Sequence, residues 1–224
     1  MNLMLGDCLE RMKEIPDGSV DMILADPPYG TTACKWDSVI PLDQMWAELK
    51  RVIKPNGAIV IFGSQPFTTN LIASNLKMFK TSWVWNKRFG ANFGTAKWHP
   101  MKVHEDIVVF CKGTAKYYPQ MVQRDKPIKL GKNVSKSGSA NLMCAKESFN
   151  GKVYNEKFPE SILEYSGRAE GQKKLHPTQK PVALMEYLIR TYTQEGETVL
   201  DFVMGSGTSE KKKKNTGRKF IGIE

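Results

Sequence analysis

Val20-Asp21-Met22-Ile23-Leu24-Ala25-Asp26-Pro27-Pro28-Tyr29 is the stretch on which the fold turns. An apolar run without polar alternation, ending in a turn, reads as a strand of a parallel sheet buried on both faces. Ligands in open α/β sheets bind at the carboxyl ends of such strands, which is where this acid and its prolines stand. Two consecutive prolines remove two backbone donors and stiffen the turn. The Asp26 carboxylate and the Pro27 carbonyl then become fixed acceptors, and Tyr29 adds a flat face beside them. Acceptors next to a stacking face suit a planar heterocycle carrying an exocyclic amine. The plainer reading is a stiffened loop with a surface acid.

Working outward, Pro41 to Lys54 places Leu42, Met45, Trp46, Leu49, Val52 and Ile53 on one helical stripe. Asn56-Gly57 is the expected stop, and Ala58-Ile59-Val60-Ile61-Phe62 is the next buried strand. That order gives a βαβ crossover. Trp83-Val84-Trp85 and Ile107-Val108-Val109-Phe110 read as two more strands, close enough in sequence to pair. Pro181 to Thr193 reads as a helix with proline in its first turn, and Val182, Met185, Leu188, Ile189 and Tyr192 face inward. Thr198 to Phe202 and Phe220 to Ile223 are the last strands.

Between those strands lies Asp201-Phe202-Val203-Met204-Gly205-Ser206-Gly207-Thr208. A Gly-x-Gly turn straight after a strand lets backbone approach a ligand closely, and the helix start beyond it offers free N–H groups. Glu224, at the end of the next strand, stands nineteen residues after Gly205. That matches the spacing, about 20 residues, of a ribose-binding acid in nucleotide folds. The Gly-Lys-Ser/Thr element of a phosphate-binding P-loop is missing.

The 224 residues suit one domain, or one domain with an insertion, and 41% hydrophobic with 25% charged residues excludes wholesale disorder. No apolar run reaches the roughly 18–20 residues of a membrane helix. The start, Met1 to Asp7, has neither the basic residues nor the apolar stretch of a signal peptide, which points to the cytoplasm. Cys8, Cys34, Cys111 and Cys144 are scattered without a Cys-x-x-Cys pair, so neither a metal site nor a disulfide framework is expected. Of the +10 net charge, most lies in residues 112–180, which hold 14 of 33 basic and 6 of 23 acidic side chains. Such a patch fits a polyanion, or merely a solvated surface. Residues 112–175 also lack periodicity and read as an irregular insertion rather than a second core.

Taken together, these motifs resemble the DNA amino-methyltransferases, in the beta group whose catalytic motif precedes its cofactor motif. The resemblance spans nearly the whole chain. It rests on Leu5 to Glu10, Ala25 to Tyr29, Trp83 to Lys87, His104 to Phe110, His176-Pro-Thr-Gln-Lys-Pro181, Val199 to Thr208 and Phe220 to Glu224. It implies an α/β, Rossmann-like S-adenosylmethionine-dependent methyltransferase fold with permuted motif order. The sheet would be mostly parallel, with helices on both faces and an inserted target-recognition segment. Residues 1–111 would form the catalytic half, 112–175 the target-recognition region, and 176–224 the cofactor half of the same domain.

The resemblance also implies a reaction and its residues. The methyl group of S-adenosylmethionine would pass to the N6 amine of an adenine flipped out of double-stranded DNA, or to the N4 amine of cytosine. The Asp-Pro-Pro-Tyr form is more similar to the adenine enzymes. Asp26, Pro27, Pro28 and Tyr29 would be catalytic, with Asp26 also facing the cofactor. Glu224 would hold the ribose hydroxyls, while Asp201, Phe202, Gly205, Ser206, Gly207 and Thr208 would line the methionine end. Asp7 would lie near the adenine, and Thr178 and Lys180 near the carboxylate. The alternative for Asp7 is a helix N-cap, and Thr178 reads equally as a cap of the helix that starts near Pro181. His104 and His176 read as structural, and Trp36, Trp46, Trp83, Trp85 and Trp98 as core or rim aromatics rather than base-stacking wedges.

Ser209-Glu210-Lys211-Lys212-Lys213-Lys214 departs from the family's small apolar helix face. Four lysines in a row repel one another and set an ammonium toward the sheet unless they snorkel. This leaves open a catalytically silent DNA-binding relative. The sequence stops at Glu224, where relatives continue into another helix. The N-terminal strand is expected to complete the sheet, and an uncovered apolar face would favour a homodimer. Restriction–modification is the setting the family implies.

Overall fold

A computed structural model describes residues 2–32, 34, 37–129, 153–167, 180–205 and 216–224. The chain divides into two compact units, residues 1–118 with 160–224, and residues 119–159. In chain order the strands are β1 (Asn2–Met4), β2 (Val20–Ala25), β3 (Ile53–Gly63), β4 (Phe79–Ala91), β5 (Lys102–Phe110), β6 (Val122–Lys129), β7 (Val153–Lys157), β8 (Ile162–Glu164), β9 (Thr198–Asp201) and β10 (Lys219–Ile223). The helices are α1 (Cys8–Met12), α2 (Leu42–Val52), α3 (Phe67–Ser74) and α4 (Val182–Tyr192).

The larger unit is built on one sheet in the order β1-β10-β9-β2-β3-β5-β4-β8. β1, β10, β9, β2 and β3 are mutually parallel, while β5 runs against both β3 and β4. The paired hydrophobic runs expected at 83–85 and 107–110 do meet, with Trp83 opposite Ile107. From β2 the chain goes to β3 on one side, whereas β9 lies on the other. A crevice at the carboxyl ends of β2 and β9 is therefore the topological switch point of the sheet.

Burial on both faces explains why β2 reads as one apolar run. Ile23 and Ala25 join Ile59 and Ile61 under α1, α2 and α3, against Met12, Met45, Leu49 and Leu71. Met22 and Leu24 join Val60 and Phe62 under α4, against Leu184, Met185, Leu188 and Ile189. Each fully buried aliphatic side chain contributes about 1.5–3 kcal/mol relative to exposure, so the two clusters hold the sheet between helical layers.

Several expectations change in detail. α2 ends at Val52, ahead of Asn56-Gly57, because the residue before Pro55 is driven out of the helical region. Asn56 and Gly57 instead lie within β3, where the pairing with β2 shifts register. A side chain at 57 would sit 2.7 Å from the Asp21 carbonyl oxygen, so glycine is needed for that close approach. Among its described residues the expected irregular insertion contains three strands. β6 and β7 pair with each other in the smaller unit, and β8 joins β4 in the large sheet. These strands are mostly exposed, which erases the apolar pattern that would have announced them.

Tryptophans also divide. Trp46, Trp83 and Trp85 are buried, and their ring N–H groups donate to Ser74 Oγ, Tyr192 Oη and the Tyr165 carbonyl at 2.8 Å each. Trp98 is 73% exposed. Trp36 lies outside the described residues, as does Cys144.

Candidate active site

The carboxyl edge of the parallel strands gathers most of the site residues read from the sequence. Asp26 follows β2, Asp201 closes β9, Glu224 follows β10, and Asp7 lies just beyond β1. β1 pairs with β10, Met4 opposite Ile223, and the Gly6 N–H donates to the Glu224 carbonyl at 2.7 Å. The N-terminal strand thus takes the sheet position expected of it.

Asp26 is part-buried, and both of its carboxylate oxygens are engaged. Oδ1 accepts from the Tyr29 hydroxyl at 2.5 Å, and Oδ2 lies 2.8 Å from Lys180 Nζ. Lys180 comes from the turn before α4, and its side chain is 10% exposed. Its ammonium also lies 3.0 Å from Glu105 Oε2 on β5, and Glu105 Oε1 lies 3.1 Å from Lys87 Nζ on β4. Although close to Lys180, Glu105 Oε2 has no aligned hydrogen-bond donor among the described residues, so that contact is an ion pair without hydrogen-bond direction. The Phe62, Tyr29 and Trp85 rings surround the ammonium at 5.2, 5.8 and 5.8 Å. Four side chains of alternating sign therefore run Asp26, Lys180, Glu105, Lys87.

Charge states follow from these neighbours. Burial alone would push the Lys180 ammonium down, but the Asp26 and Glu105 carboxylates outweigh it and hold the group above its ordinary range. For Glu105, burial pushes the carboxyl up, and Lys180 and Lys87 outweigh it and hold it low. Tyr29 is pushed well above the usual phenol range by burial and then by the charge of Asp26 and Glu105. It is a neutral donor to Asp26, not a base.

Asp37 shapes the loop that follows. Buried, it accepts from the Tyr29 and Gly30 N–H groups on Oδ1, and from the Thr31 and Thr32 N–H groups and the Thr32 hydroxyl on Oδ2. Burial opposes its charge, but the Thr32 hydroxyl and those backbone donors prevail and hold its carboxyl low. Sequence reading passed over Asp37, Glu105 and Lys87. Lys87 and Glu105 stand inside the segments Trp83 to Lys87 and His104 to Phe110 that carry the family resemblance, but no role was read for them, and Asp37 left only an acid in a threonine-rich loop.

On the other side of the crevice, Asp201 is buried and its Oδ1 accepts from the Val203 N–H at 3.3 Å. Phe202 is fully buried in the core, so its ring is not exposed to a ligand. Gly205 has φ +56, and among the described residues no atom lies within 4 Å of where a side chain would begin. Glu224 is exposed. Asp7 caps α1, its Oδ1 accepting from the Leu9 and Glu10 N–H groups at 2.9 and 3.2 Å. His104 is exposed on β5. Thr178, His176, Ser206, Gly207, Thr208 and the Glu210 to Lys214 run lie outside the described residues.

The family model for DNA methylases matches residues 20–224. The chain is 32% identical to the DNA adenine methyltransferase YhdJ of Escherichia coli (strain K12), over 98% of this chain and 76% of that protein. It is 29% identical to the Type II methyltransferase M.HpaI of Haemophilus parainfluenzae, over 99% of this chain and 69% of that protein. Among solved structures, M1.HpyAVI in complex with SAM has a TM-score of 0.64 at 26% identity, covering 100% of this chain and 92% of that one. The cytosine-N4-specific PvuII DNA methyltransferase has a TM-score of 0.71 at 17% identity, covering 100% and 82%.

Proposed function

Because the chain belongs to the DNA methylase family, we propose that it moves a methyl group from S-adenosylmethionine to the N6 amine of adenine in double-stranded DNA. The observation that carries this reading is Asp26-Pro27-Pro28-Tyr29 at the carboxyl end of β2, beside the switch point. The adenine choice is supported by the Asp form of that tetrapeptide and by the 32% identity to an enzyme named for adenine.

Bound S-adenosylmethionine supplies an electrophilic methyl group on a sulfonium centre. The residues at the crevice fit it. Asp201 and Glu224 end neighbouring parallel strands as acceptors for hydroxyl and ammonium groups.

The target amine is a poor nucleophile because its lone pair is delocalised into the ring. Asp26 and the Pro27 carbonyl accept its N–H bonds, which turns the lone pair toward the methyl group and stabilises the positive charge that develops. A carboxylate has about four acceptor positions, so Tyr29 and Lys180 leave one free on each oxygen of Asp26. The amine gains a carbon and loses a proton, for which Asp26 is the nearest base. Lys180 stays charged and holds Asp26 in place, which differs from a contact with the cofactor carboxylate. A base within a duplex must leave the stack to reach this pocket, at a cost of a few kcal/mol. The basic residues of 112–175 serve target recognition in this reading.

Labelled methyl transfer to unmethylated genomic DNA, followed by digestion to nucleosides, tests the proposal. N6-methyl-2′-deoxyadenosine is the expected product. N4-methyl-2′-deoxycytidine would reassign the base, and bound DNA without transfer would make the chain a silent relative.

A further inference from the structure

The hairpin formed by β4 and β5 ends in a tip, residues 92–101, that the mechanism above does not use. Phe93 is 81% exposed and Trp98 73%, with Met101 at 39% beside them. The other described tryptophans are buried and hydrogen-bonded, so this exposure is particular to the tip. The tip is a built turn. Asn92 takes a left-handed φ of 59, its Nδ2 donates to Thr95 Oγ1 at 3.0 Å, and its Oδ1 accepts from the Lys102 N–H at 3.0 Å. Trp98 and His99 donate their N–H groups to the Thr95 carbonyl at 2.9 and 3.0 Å.

Its charge and place are equally specific. From Lys87 to His104 the sequence has Lys87, Arg88, Lys97 and Lys102 and no acid. β5 is antiparallel to β3, and Asp106 pairs with Gly63 at the end of β3. Residues before Asp106 therefore extend past the carboxyl edge of the sheet, the edge that carries Asp26. The base of the hairpin supplies Lys87 and Glu105 to the ion-pair chain on Asp26.

We propose that this tip is a wedge that enters duplex DNA beside the flipped base, with Trp98 or Phe93 filling the gap in the stack. The inference rests on the DNA reading above and goes beyond it by naming the surface. A flipped base leaves unstacked neighbours, and apolar side chains inserted at such steps are how proteins offset the loss. An aromatic ring stacks on any base, which suits a site outside sequence readout. A second copy of the chain fits less well, because two tips lacking acids would bring like charges together, whereas a phosphate backbone neutralises them.

The test compares wild type with Trp98→Phe, Trp98→Ala and Phe93→Ala/Trp98→Ala. Trp98 emission, taken as the difference between wild type and Trp98→Phe, is expected to be quenched by unmethylated duplex DNA. Methyl transfer to that DNA should fall tenfold or more in the double variant and stay within about threefold in Trp98→Phe, with S-adenosylmethionine binding unchanged in all. Unquenched emission, or a double variant as active as wild type, would overturn the wedge. So would a change in the oligomeric state of the free protein on Trp98→Ala, since the tip would then be a protein contact. Failure of the wild type to methylate DNA at all would sink the functional reading itself, a separable result.

Discussion

Lys180 Nζ lies 2.8 Å from Asp26 Oδ2, so the segment before the last described helix reaches across the sheet to grip the first motif of the chain. The ammonium is nearly enclosed, with Glu105 on its other side and three rings around it. Removing one partner from such an arrangement leaves charge buried without compensation, which is costlier than losing an exposed pair.

Lys180→Met should therefore lower kcat by about a hundredfold, the scale on which misplacement of a reacting group acts. The Kd and KM for S-adenosylmethionine should stay within about threefold. Steady-state kinetics with cofactor titration checks this. A large rise in cofactor KM with kcat preserved would instead return Lys180 to the cofactor carboxylate.

Asp37→Ala removes the acceptor of five donors in the loop after Tyr29. Hydrogen bonds to a charged group contribute about 1.5–3 kcal/mol each, and water will satisfy part of what is lost. A net loss of about 3 kcal/mol is expected, or a fall in Tm on the order of 10 °C for a chain of this size. Differential scanning calorimetry measures it, and an unchanged Tm would remove Asp37 from the account.

Stability should fall on the acid side. Asp37, Glu105 and Asp21 are all held below their ordinary range. For Asp21, burial is outweighed by Lys54, the Thr198 N–H and Lys116. Each folded-state pKa lies below the unfolded one, so the stabilisation is present above about pH 4 and is lost as the pH falls through the lowered values. Urea midpoints between pH 7 and pH 3 should be flat at first and then drop. Asp37→Ala should flatten the drop.

Leu188→Ala tests the α4 face. Leu188 is fully buried in the cluster under that helix, and truncation should cost about 2–5 kcal/mol. Urea denaturation reads it, and a loss under 1 kcal/mol would mean that α4 packs loosely on the sheet.

What the sequence disclosed tracks burial. β2, β3, β9 and β10 were legible because two-sided burial leaves unbroken apolar runs, and the Pro-Pro and glycine turns marked the strand ends. β6, β7 and β8 were not, since exposed strands carry no alternation. Asp26, Asp201 and Glu224 could be placed at one edge because parallel strands put their carboxyl ends together. The grip of Lys180 on Asp26, its support by Glu105, and the hold of Asp37 on the loop arise from tertiary pairing and leave no spacing to read. The exposure of Trp98 was hidden for the opposite reason, as tryptophan is ordinarily buried to a high degree.

The central claim is that Asp26 prepares the target amine. Asp26→Ala and wild type should be compared for methyl transfer from labelled S-adenosylmethionine to unmethylated DNA, together with binding of each ligand. The account predicts transfer lowered about a hundredfold or more, with cofactor and DNA binding kept within a few-fold, since loss of one such group costs about 10²–10³ in rate, while Lys180 keeps its ion pair with Glu105. Transfer retained within tenfold of wild type would contradict it.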